Sequence, residues 1–124
     1  MKLLLTGATG RIGRHLLPRL AAQGHDIRAT ARGEVAADQV KAAGAEPVVA
    51  DLLDPDGYRA ALAGRDAVVH LAAILRSTDA DEIRRANLEA TRRLADAALA
   101  AGVGRFVFTS TTLTYGPGRG RGRT

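Results

Sequence analysis

Apolar residues along the chain fall into short runs that alternate with longer stretches of helical spacing. The runs predict five strands, at Lys2–Thr6, Asp26–Ala31, Glu46–Ala50, Asp66–Ala72 and Arg105–Ser110. The third is the poorest in β-branched residues, because Ala and Pro dilute it. Between them the spacing predicts helices at about Arg11–Gln23, Val35–Ala43, Asp56–Ala63 and Asp79–Ala101. Gly24 and Gly44 sit where a helix wants a left-handed last residue, and Asp54-Pro55 sets an N-cap before a first-turn proline. In the longest helix Ile83, Asn87, Ala90, Leu94 and Ala98 recur at three- and four-residue steps, with charged residues over much of the remainder. One face should therefore meet a sheet and the other water, with Asn87 on the sheet side in a hydrogen-bonding role. Repeated strand-then-helix order is the signature of a parallel sheet covered on both faces. There is no internal repeat beyond this alternation and no interdomain linker.

The last residues change character. Gly116-Pro117-Gly118-Arg119-Gly120-Arg121-Gly122-Arg123-Thr124 contains nothing apolar with which to join a core, so residues 117–124 are expected to be a disordered Gly/Arg tail after a domain spanning 1–116. That tail also carries three of the five net positive charges, so the body is nearly balanced and does not point to nucleic acid. Aromatic residues make up only 3% of the chain, leaving Val, Ile, Leu and Ala to fill the interior. Cysteine is absent, which excludes disulfides, thiolate nucleophiles and Cys-based metal sites. His15, His25 and His70 are too dispersed for a local metal motif, and His70 is expected to pack inside without acid or base work. No apolar segment approaches the ~20 residues that span a bilayer, and Leu3-Leu4-Leu5 is too short for a signal core. A cytoplasmic protein without a membrane partner is the expectation.

The first strand runs directly into Thr6-Gly7-Ala8-Thr9-Gly10-Arg11-Ile12-Gly13, after which Leu16, Leu17 and Leu20 mark the buried face of a helix. In that setting Gly7 makes the sharp turn, Gly10 lets backbone approach a diphosphate, and Gly13 lets the helix pack closely on the sheet. Free N–H groups and the positive helix end then face the phosphates. Arg11 either adds a charge beside them or is a solvated first-turn residue.

The TGxxGxxG spacing from Thr6 to Gly13 resembles the extended short-chain dehydrogenase/reductase family, also called the NAD-dependent epimerase/dehydratase family. Asp51-Leu52 is similar to the family's acidic turn beside the adenine, and Leu71-Ala72-Ala73 to its HxAA segment under the cofactor. Asn87-Leu88-Glu89-Ala90-Thr91 resembles its NxxGT stretch, and Phe106 to Thr111 with Tyr115-Gly116 its fifth strand. The resemblance covers roughly residues 1 to 116. It implies a Rossmann-like, doubly wound α/β fold of about five parallel strands in the order 3-2-1-4-5, incomplete at its C-terminal end. The expected cofactor contacts are Gly7, Thr9, Gly10, Arg11, Ile12, Gly13, Arg32, Asp51, Leu52, Leu71, Ala72, Ala73 and Thr109.

Which dinucleotide binds turns on the end of the second strand. NAD-binding units place an Asp or Glu there to hold the ribose 2′-hydroxyl, whereas an arginine suits a 2′-phosphate. This chain has Ala31-Arg32, with Arg28 two alternations earlier on the same strand face and available to assist. NADP is therefore favoured over NAD, against the alternative that Arg32 is a surface residue opening a loop. Asp51 likewise either contacts the adenine or only caps a turn.

The family resemblance also implies a catalytic Ser/Thr and a Tyr-x-x-x-Lys pair, in which the lysine lowers the tyrosine pKa. Thr111 matches the first. Four residues beyond Tyr58 and Tyr115, however, stand Leu62 and Arg119, and the lysines Lys2 and Lys41 lie far upstream. The expectation is a truncated NAD(P)-binding module of an epimerase, dehydratase or reductase, inactive alone and of unidentified substrate. A free edge beside the fifth strand would invite self-association. The alternative is a non-catalytic dinucleotide-binding or redox-sensing protein.

Overall fold

A computed structural model describes residues 1–73 and 77–110. Five parallel strands, β1 (Lys2–Thr6), β2 (Asp26–Ala31), β3 (Glu46–Val49), β4 (Ala67–His70) and β5 (Arg105–Phe108), form one sheet in the order β3-β2-β1-β4-β5. This is the expected Rossmann-like order. Thr111 and residues 117–124 of the expected tail lie outside the described residues.

Strand alternation divides the interior in two. Successive side chains of a strand point to opposite faces, so Leu3 and Leu5 pack with Ile27, Ala29, Leu17 and Val40 under α1 (Gly13–Ala22) and α2 (Glu34–Ala42). Leu4 and Val68 pack on the other face with Tyr58, Leu62 and Leu94. β1 is buried on both faces, which is why it reads as an unbroken leucine run rather than an alternating strand.

Two helical readings are corrected. The segment read as one helix over Asp56–Ala63 is a pair of 3-10 turns, Pro55–Gly57 and Arg59–Leu62. Tyr58 separates them with φ −128° and sends its ring into the core, where it has no exposed surface. Asp54 still caps the first turn, its side chain accepting from the Asp56 N–H, as its place before Pro55 implies. The long helix is also interrupted. It consists of α3 (Ala80–Arg84), a π-turn at Arg85–Glu89 and α4 (Ala90–Ala100). Ala90, Leu94 and Ala98 face the core as their spacing demands, whereas Ile83 and Asn87 are half-buried.

At the end of the sheet where the strands begin, Arg65 is buried. Its guanidinium donates to the Asp26 carboxylate and to the Asp26 carbonyl, each at 3.1 Å. That hydrogen bond lowers the Asp26 carboxyl below its ordinary value. Beside it the Lys2 N–H donates to the Asp66 carboxylate at 2.7 Å, so the start of β1 is clamped between β2 and β4. The opposite end of the sheet is thereby left as the open one.

Candidate dinucleotide site

The open end holds a cleft of about 400 Å³, outside the point where the sheet order reverses around β1. In open α/β sheets this switch point is where ligands bind. Its floor is the turn after β1, with Gly7, Ala8, Thr9 and Gly10 in the lining. The β2 end contributes Thr30, Ala31 and Arg32, and the β3 end Ala50, Asp51, Leu52 and Leu53. Ala72 and Ala73, just past β4, close the far side, while Glu82, Arg85, Ala86 and Ala90 form a helical wall.

The three glycines of the turn do different work. Gly7 takes φ +70°, and a Cβ there would lie 2.6 Å from the Ala72 nitrogen, so turn and β4 end meet backbone to backbone. A Cβ on Gly13 would fall on the Gly7 carbonyl oxygen and within 2.7 Å of the Ala8 backbone. Gly10 has only the Gly7 carbonyl near its absent side chain, at 3.3 Å, and otherwise faces the cleft. Gly13 therefore serves packing, and Gly10 serves whatever enters. The Gly10 N–H is used in the turn, donating to the Gly7 carbonyl. Among the described residues the N–H groups of Thr9, Arg11 and Ile12 meet no backbone acceptor, which is the donor set an anion at a helix start requires. No acidic residue occupies the first turn of α1 to compete with it.

Eight of the thirteen expected contacts thus line the cleft: Gly7, Thr9, Gly10, Arg32, Asp51, Leu52, Ala72 and Ala73. Arg11 and Ile12 are exposed at the start of α1 outside the lining, and Gly13 is buried behind the turn. Leu71 is also outside the lining; its backbone abuts Gly7. Thr109 follows β5, and its N–H donates to the His70 carbonyl. Arg28 does not join Arg32. Its guanidinium donates to the Glu46 carboxylate and the Ala61 carbonyl, each at 3.2 Å, far down the strand from the cleft. Arg32 is exposed and has no hydrogen-bond or ion-pair partner among the described residues.

Beneath the cleft a hydrogen-bond chain crosses the sheet. The Thr6 hydroxyl oxygen accepts the N–H groups of Leu71 and Ala72, both at 3.1 Å, which leaves its proton for His70 Nδ1 at 2.6 Å. The Thr91 hydroxyl donates to the Asn87 carbonyl at 2.9 Å, so it accepts from His70 Nε2 at 2.8 Å. Donor counting therefore fixes His70 as the neutral Nε2–H tautomer. Its ring also stacks on Phe108, with centroids 5.7 Å apart. The sequence reading placed His70 inside but supplied no partner; the partners are two threonines 64 residues before and 21 residues after it.

Burial holds the His70 pKa below its ordinary 6.5, and a second ring proton would find no acceptor on Thr6. The unfolded chain thus binds a proton near pH 6.5 that the folded one refuses. The stability associated with neutral His70 is complete above that pH and is lost as pH falls from about 6.5 toward the folded value, at about 1.4 kcal/mol per pH unit within the window. Urea midpoints at pH 7.5, 6 and 5 should fall for the wild-type chain and fall less steeply for His70→Asn. Identical slopes for the two proteins would contradict this.

The Leu52 backbone is held from below: the Tyr58 hydroxyl donates to the Leu52 carbonyl at 3.1 Å. Burial pushes the Tyr58 pKa up to about 12, so it remains a donor at any physiological pH. Asp51 supports the same turn by accepting the Leu53 N–H at 2.9 Å.

With this architecture in place, the sequence profile of the NAD dependent epimerase/dehydratase family matches residues 3–124. The chain belongs to that family. Among similar proteins is the 4-hydroxy-2-methyl-3-oxo-4-farnesyl-3,4-dihydroquinoline-1-oxide ketoreductase of Stigmatella aurantiaca, 39% identical over 121 residues, covering 96% of this chain and 36% of the relative. A short-chain dehydrogenase/reductase superfamily protein from Agrobacterium tumefaciens, solved with bound NAD, matches with a TM-score of 0.80 and 38% identity over 94% of this chain and 34% of the other. MoeE5, solved with UDP-glucose and NAD, matches with a TM-score of 0.83 and 31% identity over 97% of this chain and 40% of the other. This epimerase/dehydratase chain therefore spans about a third of the length of such relatives. Among its described residues no helix is long and apolar enough to cross a membrane.

Proposed function

We propose that residues 1–116 are the dinucleotide-binding domain of an oxidoreductase or isomerase of the epimerase/dehydratase type, and that NADP is its preferred cofactor. The observation that carries the reading is the turn from Gly7 to Gly13: Thr9 and Gly10 line the cleft, the N–H groups of Thr9, Arg11 and Ile12 meet no backbone acceptor among the described residues, and Gly10 has no neighbouring side chain. These amides would hold the pyrophosphate, with Arg11 adding charge at its rim. Asp51 and Leu52 would flank the adenine, and Ala72 and Ala73 would bound the nicotinamide side. Arg32 supports NADP because it is an unpaired guanidinium in the lining at the β2 end, suited to a 2′-phosphate. When bound, the nicotinamide supplies or accepts hydride. Thr111 would position the substrate oxygen, a small carbonyl compound, an alcohol or a sugar nucleotide being the class of substrate for the whole protein.

The test is titration of the chain with NADPH and NADH. NADPH should bind more tightly, and Arg32→Ala should remove the preference by weakening NADPH alone about tenfold. Gly10→Val should abolish binding of both while leaving the melting temperature within a few degrees, since only the Gly7 carbonyl lies near its Cβ position. Unaltered affinity in the Gly10 variant would sink the reading.

Val107 and Phe108 of β5 are half-exposed, and β5 has a strand neighbour on one side only among the described residues. We propose that this edge drives self-association. Sedimentation should show mass rising with concentration, and a monomer across the whole micromolar range would refute it.

A further inference from the structure

The cleft has a second unpaired cation, and it is not the one that strand alternation selects. Arg28 is committed to Glu46 and Ala61, whereas Arg85 lines the cleft from its helical wall and is exposed. Among the described residues Arg85 has no hydrogen-bond or ion-pair partner, although Glu82 and Glu89 are near it in sequence. Glu82 accepts from the Ser77 hydroxyl at 3.0 Å, and Glu89 is paired with Arg93 at 3.8 Å. In the same lining Asp51 accepts the Leu53 N–H. Asp51 and Glu82 in the lining each accept a local donor, whereas Arg32 and Arg85 have no hydrogen-bond or ion-pair partner among the described residues.

Arg85 owes its direction to the π-turn that begins with it. A π-turn carries one residue more than an α-turn, so it resets the helix register by roughly a hundred degrees. The part of the helix before it can then face the cleft while Leu94 and Ala98 after it keep facing the core. Such a turn is intrinsically less stable than α-helix and needs an outside tie. Here the tie is visible: Thr91 reaches back to the Asn87 carbonyl inside the turn, and its own hydroxyl is fixed by His70 and, through His70, by Thr6.

We propose that Arg85 is a phosphate ligand of the bound dinucleotide, presented by the π-turn, and that Thr91 is the positioning residue that holds the turn. The inference rests on the dinucleotide reading above. A guanidinium matches two phosphate oxygens with two parallel N–H groups, and the pyrophosphate and the 2′-phosphate both offer that geometry.

The full 124-residue chain and its variants would be titrated with NADPH and with NADH by nucleotide fluorescence. Arg85→Ala should weaken binding about tenfold with an unchanged melting temperature, and Arg85→Lys should fall between. Weakening of both nucleotides assigns the pyrophosphate as the partner; weakening of NADPH alone assigns the 2′-phosphate. Equal affinity of Arg85→Ala and wild type for both nucleotides overturns the proposal. Thr91→Val should weaken binding in the wild-type background and add little in Arg85→Ala, with Thr91→Ser restoring affinity. An equal loss in both backgrounds would show that Thr91 does not act through Arg85. A wild-type chain that binds neither nucleotide removes the reading of the cleft and this inference together, whereas tight wild-type binding indifferent to Arg85 removes the inference alone.

Discussion

Valine at Gly13 is expected to leave the chain without a cooperative melting transition at room temperature. The added Cβ would overlap the Gly7 carbonyl oxygen and lie 2.7 Å from Ala8 backbone atoms, so the obstruction is main chain and no rotamer relieves it. Relief requires lifting α1 off the sheet. That would expose Leu17 and uncover Leu3 and Leu5, which share one core with it. A loss above about 4 kcal/mol follows, against a total of about 5–15 kcal/mol for an ordinary domain. Gly10→Val, three residues earlier, is expected to melt nearly as the wild type does. Circular dichroism melts of the two variants side by side are the check, and a Gly13 variant as stable as the Gly10 variant would mean that the close approach of helix and turn is not required.

Tyr58→Ala is the second large effect, at about 3–5 kcal/mol. Tyr58 is the largest fully buried side chain among the described residues and packs with Leu4, Leu62 and Leu94 under the sheet. Removing the ring leaves a cavity bounded by strand residues that cannot collapse into it. Tyr58→Phe keeps the ring and loses only the bond to the Leu52 carbonyl, for about 1 kcal/mol. The two variants also separate stability from the site, because the hydroxyl supports the turn that carries Asp51 and Leu52. Urea denaturation should place Phe near wild type and Ala far below it. Similar midpoints for Ala and Phe would show that the ring contributes no packing there.

The strands and the floor of the cleft were legible because single residue types report them. β1 and β2 begin and end at the residues expected from their apolar runs, and the glycine turn announces its geometry through the only residue without a Cβ. Features set by distance along an element, or by partners remote in sequence, were not. Arg28 and Arg32 share a strand face, but four residues of strand separate them by roughly 13 Å. Arg28 is level with Glu46 at the start of β3, while Arg32 follows the end of β2. Arg65 reads as a loop residue, and its burial depends on Asp26, 39 residues earlier. Over eight residues a helical period cannot tell an α-helix from two 3-10 turns around an inserted ring, as at Tyr58. The π-turn has no residue signature; only the reach of Thr91 to Asn87, and of His70 to Thr91, marks it. The helical wall of the cleft was therefore missed along with Glu82, Arg85, Ala86 and Ala90.

Placing the first strand at the centre of the sheet has a consequence for synthesis. Leu3 is level with Ile27 on one side and with Ala67 on the other. While the ribosome is still adding the middle third of the chain, β1 can join β2 but must wait for its second neighbour, so the three leucines emerge long before both of their flanks exist. During that interval the nascent polypeptide presents a sticky apolar ribbon, and chaperone capture or slow elongation through residues 50 to 70 would change the yield of folded product without altering its final stability.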